Sequence, residues 1–246
     1  MQNLFKSHYS IGKSILTLGP ASEIKPDETI SIFSIAKKHN LKEIALVEDA
    51  MGGMLKAYEM AKEEKISLRF GLRIPLSDGA ESSSKYIIFA KNTKGLKLLS
   101  KFYSQYALKN EGKTKGRELL TLEGLKEFWD EDLLKLVIPF YDSFLYNNSY
   151  YFNNSMPFFE FTKPVMLIEN NGLPIDEILM PIVKKYAKEM SFKTKQAQSI
   201  YYYSKKSFKS YMTFRCIKNQ SNFKNICLSR PELPHFSSDT FCYLKP

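Results

Sequence analysis

The sequence predicts an α/β fold built on a parallel sheet or barrel, and three observations predict it. Between residues 27 and 76, helix-like and strand-like segments alternate with short connections. The strand-like segments are short apolar runs bounded by charge, the pattern of strands buried on both faces. The 246 residues are 43% apolar and include 18 Phe and 15 Tyr, enough for one substantial core and incompatible with disorder.

The elements follow in order. Gly19 and Pro20 end an opening segment. A helix is predicted over 27–39, with Asp27 as N-cap, Glu28 in the first turn and Ile30, Phe33, Ile35 and Ala36 on one face. KEIALVED then carries a buried strand at Ile44–Val47. Gly52 and Gly53 loosen the next loop, and MLKAYEMAKEEK reads as a helix with Leu55, Tyr58 and Ala61 inward. ISLRFGLRIPL and KYIIFAKN are strands separated by a loop over 77–84. TKGLKLLSKFYSQYALK is a helix whose stripe is Leu96, Leu99, Phe102, Tyr103 and Tyr106, and residues 111–116 are polar and exposed. A short helix follows Thr121, and LLKLVIPF is a strand. The aromatic stretch 141–164, with Asn and Ser between its rings, reads as a hairpin or an irregular packed excursion. It lacks the interspersed Lys and Arg of a base-stacking surface. VMLIE is a strand. GLPIDEILMPIVKKYAKEM holds a helix with Ile178, Leu179, Ile182, Val183 and Tyr186 inward, kinked by Pro181 or starting there. A late strand, a helix capped by Ser204 and a tail that either docks or begins another unit complete the chain.

Charge is unevenly spread. Of 36 Lys and Arg, 13 fall from Lys184 onward, against 3 of the 26 Asp and Glu, so the net +10 resides there and residues 1–183 balance. Such a basic quarter suits nucleic acid or an acidic partner, or is a solvated lysine-rich face. Lys205, Lys206, Lys209, Arg215, Lys218 and Lys224 are its candidate contacts. No apolar run is long enough to span a bilayer, and no secretory leader is legible, so no membrane partner is expected. Cys216, Cys227 and Cys242 form neither CxxC pair nor disulfide framework, which suits a reducing, cytoplasmic compartment.

Site chemistry is sparse. His8, His39 and His235 form no HxH or HExxH pair, and there is no phosphate loop, dinucleotide fingerprint or nucleophile elbow. Cys216 reads as an ordinary buried cysteine rather than a nucleophile. The acids Glu48, Asp49, Asp142 and Glu169 remain. Glu48 and Asp49 directly follow a predicted strand, where α/β folds place their chemistry.

Several segments, over about residues 4–217, nevertheless resemble the polymerase-and-histidinol-phosphatase (PHP) domain of bacterial DNA polymerase III alpha subunits. LFKSHYS resembles the family's HxHSxYS-like opening, with Leu4 and Lys6 where the histidines stand and Ser7, Tyr9 and Ser10 kept. LVEDAMGG resembles the TDHG-like turn, with Glu48 and Asp49 inside it. RFGLRIPL resembles the path into a Gly-x-Glu motif and places Arg73 at the glutamate. YIIFAKNTKGLKLLSKFYS is the most specific match. ENNGLPIDE carries Asn170 and Asn171 at an Arg-His pair, and QSIYYY carries Gln198, Ser199 and Tyr201 at an NDxH-like motif. RCI matches the domain's end, and SSDTFCYLK resembles the linker toward the polymerase palm.

The resemblance implies a distorted (β/α)7 TIM-like barrel over 1–217 and an extension over 218–246. It implies that Leu4, Lys6, Glu48, Asp49, Arg73, Asn171, Ser199 and Tyr201 mark a dismantled metal site, with no catalytic residue and no cofactor. The implied role is a non-catalytic, partner-binding module of a bacterial or phage family C replicative polymerase. Its expected partners are the palm-containing region or subunit, a proofreading exonuclease and DNA. The alternatives are a divalent-metal-dependent phosphoesterase with atypical ligands and a stand-alone DNA-binding protein.

Overall fold

The computed structural model describes residues 1–21, 30–77, 83–109, 120–218 and 239–244. In chain order it contains β1 (Gln2–Phe5), α1 (Ile32–Lys38), β2 (Glu43–Glu48), α2 (Met54–Glu63), β3 (Ser67–Ser77), β4 (Ser83–Ala90), α3 (Thr93–Lys109), β5 (Leu120–Thr121), α4 (Leu122–Lys126) and β6 (Leu134–Ile138). There follow α5 (Phe144–Tyr151), β7 (Val165–Ile168), α6 (Pro174–Glu189), β8 (Lys193–Ile200), β9 (Tyr202–Ser204), a 3-10 turn (Lys205–Ser207), α7 (Phe208–Lys218) and β10 (Cys242–Leu244).

Seven strands close into a barrel in the order β1, β2, β3, β4, β6, β7, β8 and back to β1, and β5 adds to the far part of β3. This is the distorted (β/α)7 barrel expected. All ring pairings are parallel except the two made by β4, which is antiparallel to both β3 and β6. The reason lies in chain length: the few residues between Ser77 and Ser83 leave no room for a crossover helix, so the chain must turn back on itself.

Strand alternation divides the core in two. Leu4, Ala45, Val47, Ile87, Phe89, Val137, Leu167 and Ala197 point into the lumen. Their neighbours Phe5, Leu46, Leu72, Ile88, Leu136 and Ile168 point outward, under the helices. The lumen is tightly filled. Gly71 lies opposite Phe89, and a Cβ there would come within 2.8 Å of the Phe89 ring.

Four local expectations are corrected. α1 begins one residue after Ser31, whose side chain accepts from the Phe33 amide. Ile30 precedes the helix, and the expected cap Asp27 lies outside the described residues. α2 buries Ala57, Met60 and Ala61 and exposes Leu55 and Tyr58; small side chains let the helix approach the sheet closely. In the aromatic stretch, Ser143 caps a true helix, α5, which ends at Phe152 in the left-handed region (φ 57°). α6 starts at Pro174, with the Asp176 carboxylate accepting from the Leu173 amide at 3.0 Å, and runs through Pro181. It buries Leu179, Val183 and Tyr186 but exposes Ile178 and Ile182.

The tail docks. β10 pairs in parallel with β9, and the Tyr201 amide donates to the Phe241 carbonyl at 3.0 Å. Phe241 is fully buried against the rings of Tyr201 and Tyr141, and Tyr243 packs on Phe5 and His39. Among the described residues, no helix is long and apolar enough to cross a membrane.

Candidate functional site

The C-terminal ends of the parallel strands converge on one barrel mouth, where this architecture gathers chemistry. β1 delivers Lys6 and Ser7; β2 delivers Glu48 and Asp49; β3 delivers Arg73. The antiparallel β4 contributes Lys85 from its beginning, the turn after β6 contributes Asp142, β7 leads to Glu169 and Asn171, and β8 carries Ser199. Alternation that fills the lumen with apolar groups aims Lys6, Arg73, Glu169 and Ser199 at its upper end, while Ser7 and Glu48, one residue out of phase, pair with each other behind it.

The site is a set of closed pairings. The Lys6 ammonium, with a side chain only 4% exposed, donates to Asp49 Oδ1 at 2.6 Å. Arg73 donates from one guanidinium nitrogen to the Tyr141 carbonyl (2.9 Å) and to Asp142 Oδ2 (3.1 Å). Lys85 Nζ reaches the same Asp142 oxygen at 2.9 Å. Asp142 sits in the left-handed region (φ 60°), a conformation that Asp tolerates better than most residues, and this turn aims its carboxylate between the two cations.

The two buried glutamates are satisfied without a cation in direct contact. Glu48 accepts from the Ser7 amide at 2.8 Å and from the Ser10 hydroxyl, while Ser10 Oγ accepts from the Asp49 amide at 3.0 Å. Glu169 accepts from the Ser199 amide (2.8 Å), the Ser199 hydroxyl (2.9 Å) and Asn171 Nδ2 (3.3 Å). Asn171 connects to a second buried network: its Nδ2 also donates to the Tyr141 hydroxyl (3.1 Å), which donates to Asp176 (2.7 Å). Gln198 donates to Asn171 Oδ1 and to the Thr240 carbonyl, and Thr240 Oγ1 donates back to the Asn171 carbonyl at 2.8 Å. The tail is thereby stitched to the mouth.

Electrostatics follow from burial and pairing. Burial pushes the carboxyls of Glu48 and Glu169 up, against the pull of Lys6 on one and the Ser199 hydrogen bonds on the other. Burial also acts to raise Asp49 and Asp142, but adjacent cations outweigh it and hold both below the usual carboxylate range. Lys6 dominates for Asp49, and Arg73 with Lys85 for Asp142. Burial draws the Lys6 ammonium down, with Asp49 opposing. Lys13, at the rim, falls to about 8 through burial and then the charge of Lys85. Burial lifts the Tyr201 hydroxyl to about 12.

The fold thus brings the sequence-predicted positions together. Leu4, Lys6, Arg73, Ser199 and Tyr201 line one void with Glu169, Glu48 and Asp49 flank Lys6, and Asn171 touches Glu169. That void measures only about 10 Å³, room for a single water. The carboxylates within reach of a cation here are Glu48, Asp49, Asp142 and Glu169. Among the described residues, no cluster of three or more His, Cys, Asp or Glu is arranged to hold a metal ion. Sequence reasoning listed Asp142 only as an available acid and missed Lys85, Asp176 and Thr240 altogether. Their side-chain partners at the site lie 57, 35 and 69 residues away; for Asp176 the one local signal is its place at the third position of α6, where it caps the Leu173 amide.

The second predicted group fares differently. Arg215 is a correction: it is 1% exposed, donates to the Tyr211 hydroxyl at 3.2 Å and lies over that ring, so it presents nothing to a partner. Its helical position one turn from Tyr211 turns it inward. Lys205, Lys206 and Lys209 are exposed, and Lys205 pairs with Asp239 at 3.0 Å. Lys218 ends α7, and Lys224 lies outside the described residues.

Among solved structures, the chain is similar to a candidate metal-dependent phosphoesterase from Bifidobacterium adolescentis, at 11% identity and TM-score 0.47, covering 80% of this chain and 87% of that one. It is similar to an amidohydrolase from Chromobacterium violaceum, at 10% identity and TM-score 0.41, covering 81% and 87%. It is also similar to PsfC from Pseudomonas syringae, at 11% identity and TM-score 0.39, covering 80% and 76%. No curated protein matches. A family model described as "PHP domain" matches residues 22–148, more than half of the chain, and the protein belongs to that family.

Proposed function

We propose that this protein is a non-catalytic PHP module whose metal-binding mouth has become an internally neutralised polar plug, and that it serves polymerase architecture by packing against a palm-containing region. The single observation that carries the reading is the buried Lys6 ammonium seated on Asp49, with the Arg73 guanidinium beside it on Asp142. A divalent ion at this mouth would meet two fixed positive charges at close range in a poorly solvated site, where repulsion is strong. The carboxylates it would need already accept hydrogen bonds from Ser7, Ser10 and Ser199. The residues present therefore do not fit a cluster of metal ions, and no hydrolytic step is derived through one. The polymerase context rests on the resemblance of residues 86–104 and of the tail to the alpha-subunit domain.

A second reading is a divalent-metal-dependent phosphoesterase with atypical ligands. Family membership by itself favours it, and four carboxylates at one barrel mouth are the donors it would use. The two readings separate in one experiment. The purified protein is dialysed against Mn²⁺ or Zn²⁺, its metal content is measured, and hydrolysis of bis-p-nitrophenyl phosphate is followed. The plug reading expects no retained metal and no metal-dependent turnover, in the parent protein and in Glu48→Ala alike. Turnover that requires metal and disappears in Glu48→Ala establishes the phosphoesterase instead. Recovery of a palm-containing polymerase chain with the tagged protein from its native source supports the proposed role.

A further inference from the structure

The opposite mouth of the barrel carries a charge cluster that the family site does not explain and that takes only two of its cations, Lys193 and Lys195, from the basic C-terminal quarter. The alternation that puts Ala45, Phe89, Val165 and Leu167 on the lumen face fixes the residues in register with them: Arg69 beside Ala45, Lys135 beside Phe89, and Lys193 and Lys195 beside Val165 and Leu167. Lys91 follows β4 at the same end, its amide donating to the Leu133 carbonyl at 2.8 Å. Five cations from three strands and one strand end thus ring the N-terminal mouth. Among the described residues, Glu43, paired with Arg69, is the one carboxylate that neutralises any of them directly. Lys91 Nζ donates to the Glu131 carbonyl, and among the described residues no carboxylate pairs with Lys135, Lys193 or Lys195. The ammonium of Lys135 is drawn down by burial and then by Lys91, Lys195, Lys193 and Arg69, the mark of cations held together without a counter-charge. A groove of about 340 Å³ between α2 and α3 opens onto Arg69 and Lys91.

We propose that this mouth binds phosphate groups, the anion that concentrates more than one negative charge on a compact set of acceptor oxygens. Several lysines converging as point charges beside one guanidinium fork suit a phosphate better than a single carboxylate. The phosphates could belong to a nucleic-acid backbone or to a free polyphosphate, and the surface lies at the end of the barrel away from Lys6 and Arg73. This inference is independent of the proposed polymerase role.

The test is fluorescence anisotropy of the full chain with labelled single-stranded oligonucleotides of about 6 and about 18 nucleotides, spanning typical site sizes. Inorganic tripolyphosphate and a polyglutamate peptide serve as competitors, over a range of salt. The variant is Lys135→Gln/Lys193→Gln/Lys195→Gln. All three residues are solvent-exposed, and its melting temperature confirms the fold. A matched control neutralises Lys205, Lys206 and Lys209. The expected result is binding that weakens roughly tenfold in the first variant only. The slope of log affinity against log salt should fall by about 2, since each single-strand phosphate contact contributes about 0.7. Affinity that rises with oligonucleotide length assigns the phosphates to a backbone, and equal displacement by tripolyphosphate at either length assigns them to a small ligand; both support the site. No binding at low salt, unchanged binding in the Lys135/Lys193/Lys195 variant, or stronger competition by polyglutamate than by tripolyphosphate overturns it.

Discussion

The Lys6–Asp49 pair should break asymmetrically, and the asymmetry follows from where each partner sits. Lys6 is 4% exposed in its side chain, whereas Asp49 is 38% exposed. In Lys6→Met the carboxylate that remains can rehydrate, and a long apolar side chain replaces the buried ammonium. Replacing buried charge by apolar volume is close to neutral, so the expected loss is about 1 kcal/mol or less. In Asp49→Asn the ammonium remains in the barrel mouth, next to Arg73, without its carboxylate. Orphaning a buried charge costs about 3–5 kcal/mol. There is a ceiling, because Lys6 can release its proton. Roughly 3.4 pH units separate an ordinary lysine from neutrality, which at about 1.36 kcal/mol each limits the penalty at pH 7 to about 5 kcal/mol. The sign of the pH dependence is fixed by the same reasoning. A lysine whose folded pKa is lowered gives its favourable contribution above the unfolded value of 10.5 and loses it as pH falls through the folded value. The deficit of Asp49→Asn should therefore shrink as pH is raised from 7 toward 10. Urea denaturation of both variants at pH 7 and pH 9.5 measures this. The reasoning is refuted if Lys6→Met loses as much stability as Asp49→Asn, or if the deficit of Asp49→Asn does not narrow at the higher pH.

Three further outcomes are expected. Gly95→Ala, in the first turn of α3, should destabilise rather than deliver the roughly 1 kcal/mol that alanine ordinarily brings to a helix. A Cβ there would stand 2.2 Å from the Leu133 carbonyl oxygen, and thermal melting reads the sign. Phe241→Ala should cost about 3–5 kcal/mol and make the tail the first site of limited proteolysis, because its fully buried ring anchors that segment on Tyr201 and Tyr141. In acid, the contribution of Asp49 and Asp142 is present above an ordinary aspartate's 3.8 and is lost as pH falls through their lower folded values. Asp142→Asn should therefore flatten the acid limb of a stability-versus-pH curve.

The sequence by itself determined β2, β4 and β6, because a strand buried on both faces must be a short apolar run, and Ile44–Val47, Tyr86–Phe89 and Leu134–Ile138 are such runs; β1 and the polar start of β8 carry no such run. Segments such as LVEDAMGG and YIIFAKN carried the family resemblance. Helix phase was less legible. In α2 and α6 several apolar residues offer more than one inward stripe, and packing against the sheet, not hydrophobicity, selected Ala57 and Met60 over Leu55 and Tyr58. α5 was hidden because Asn and Ser between aromatic rings look like a loop until Ser143 is seen capping a helix. The pairings were beyond any local reading: Lys6 finds Asp49 across 43 residues, Lys85 finds Asp142 across 57, and Thr240 reaches Asn171 across 69. Side-chain alternation decides only which face a residue occupies. Closing the barrel decides which strands are neighbours, and that closure turned scattered lysines, arginines and acids into one mouth of paired charges and one where, among the described residues, cations outnumber their paired carboxylates.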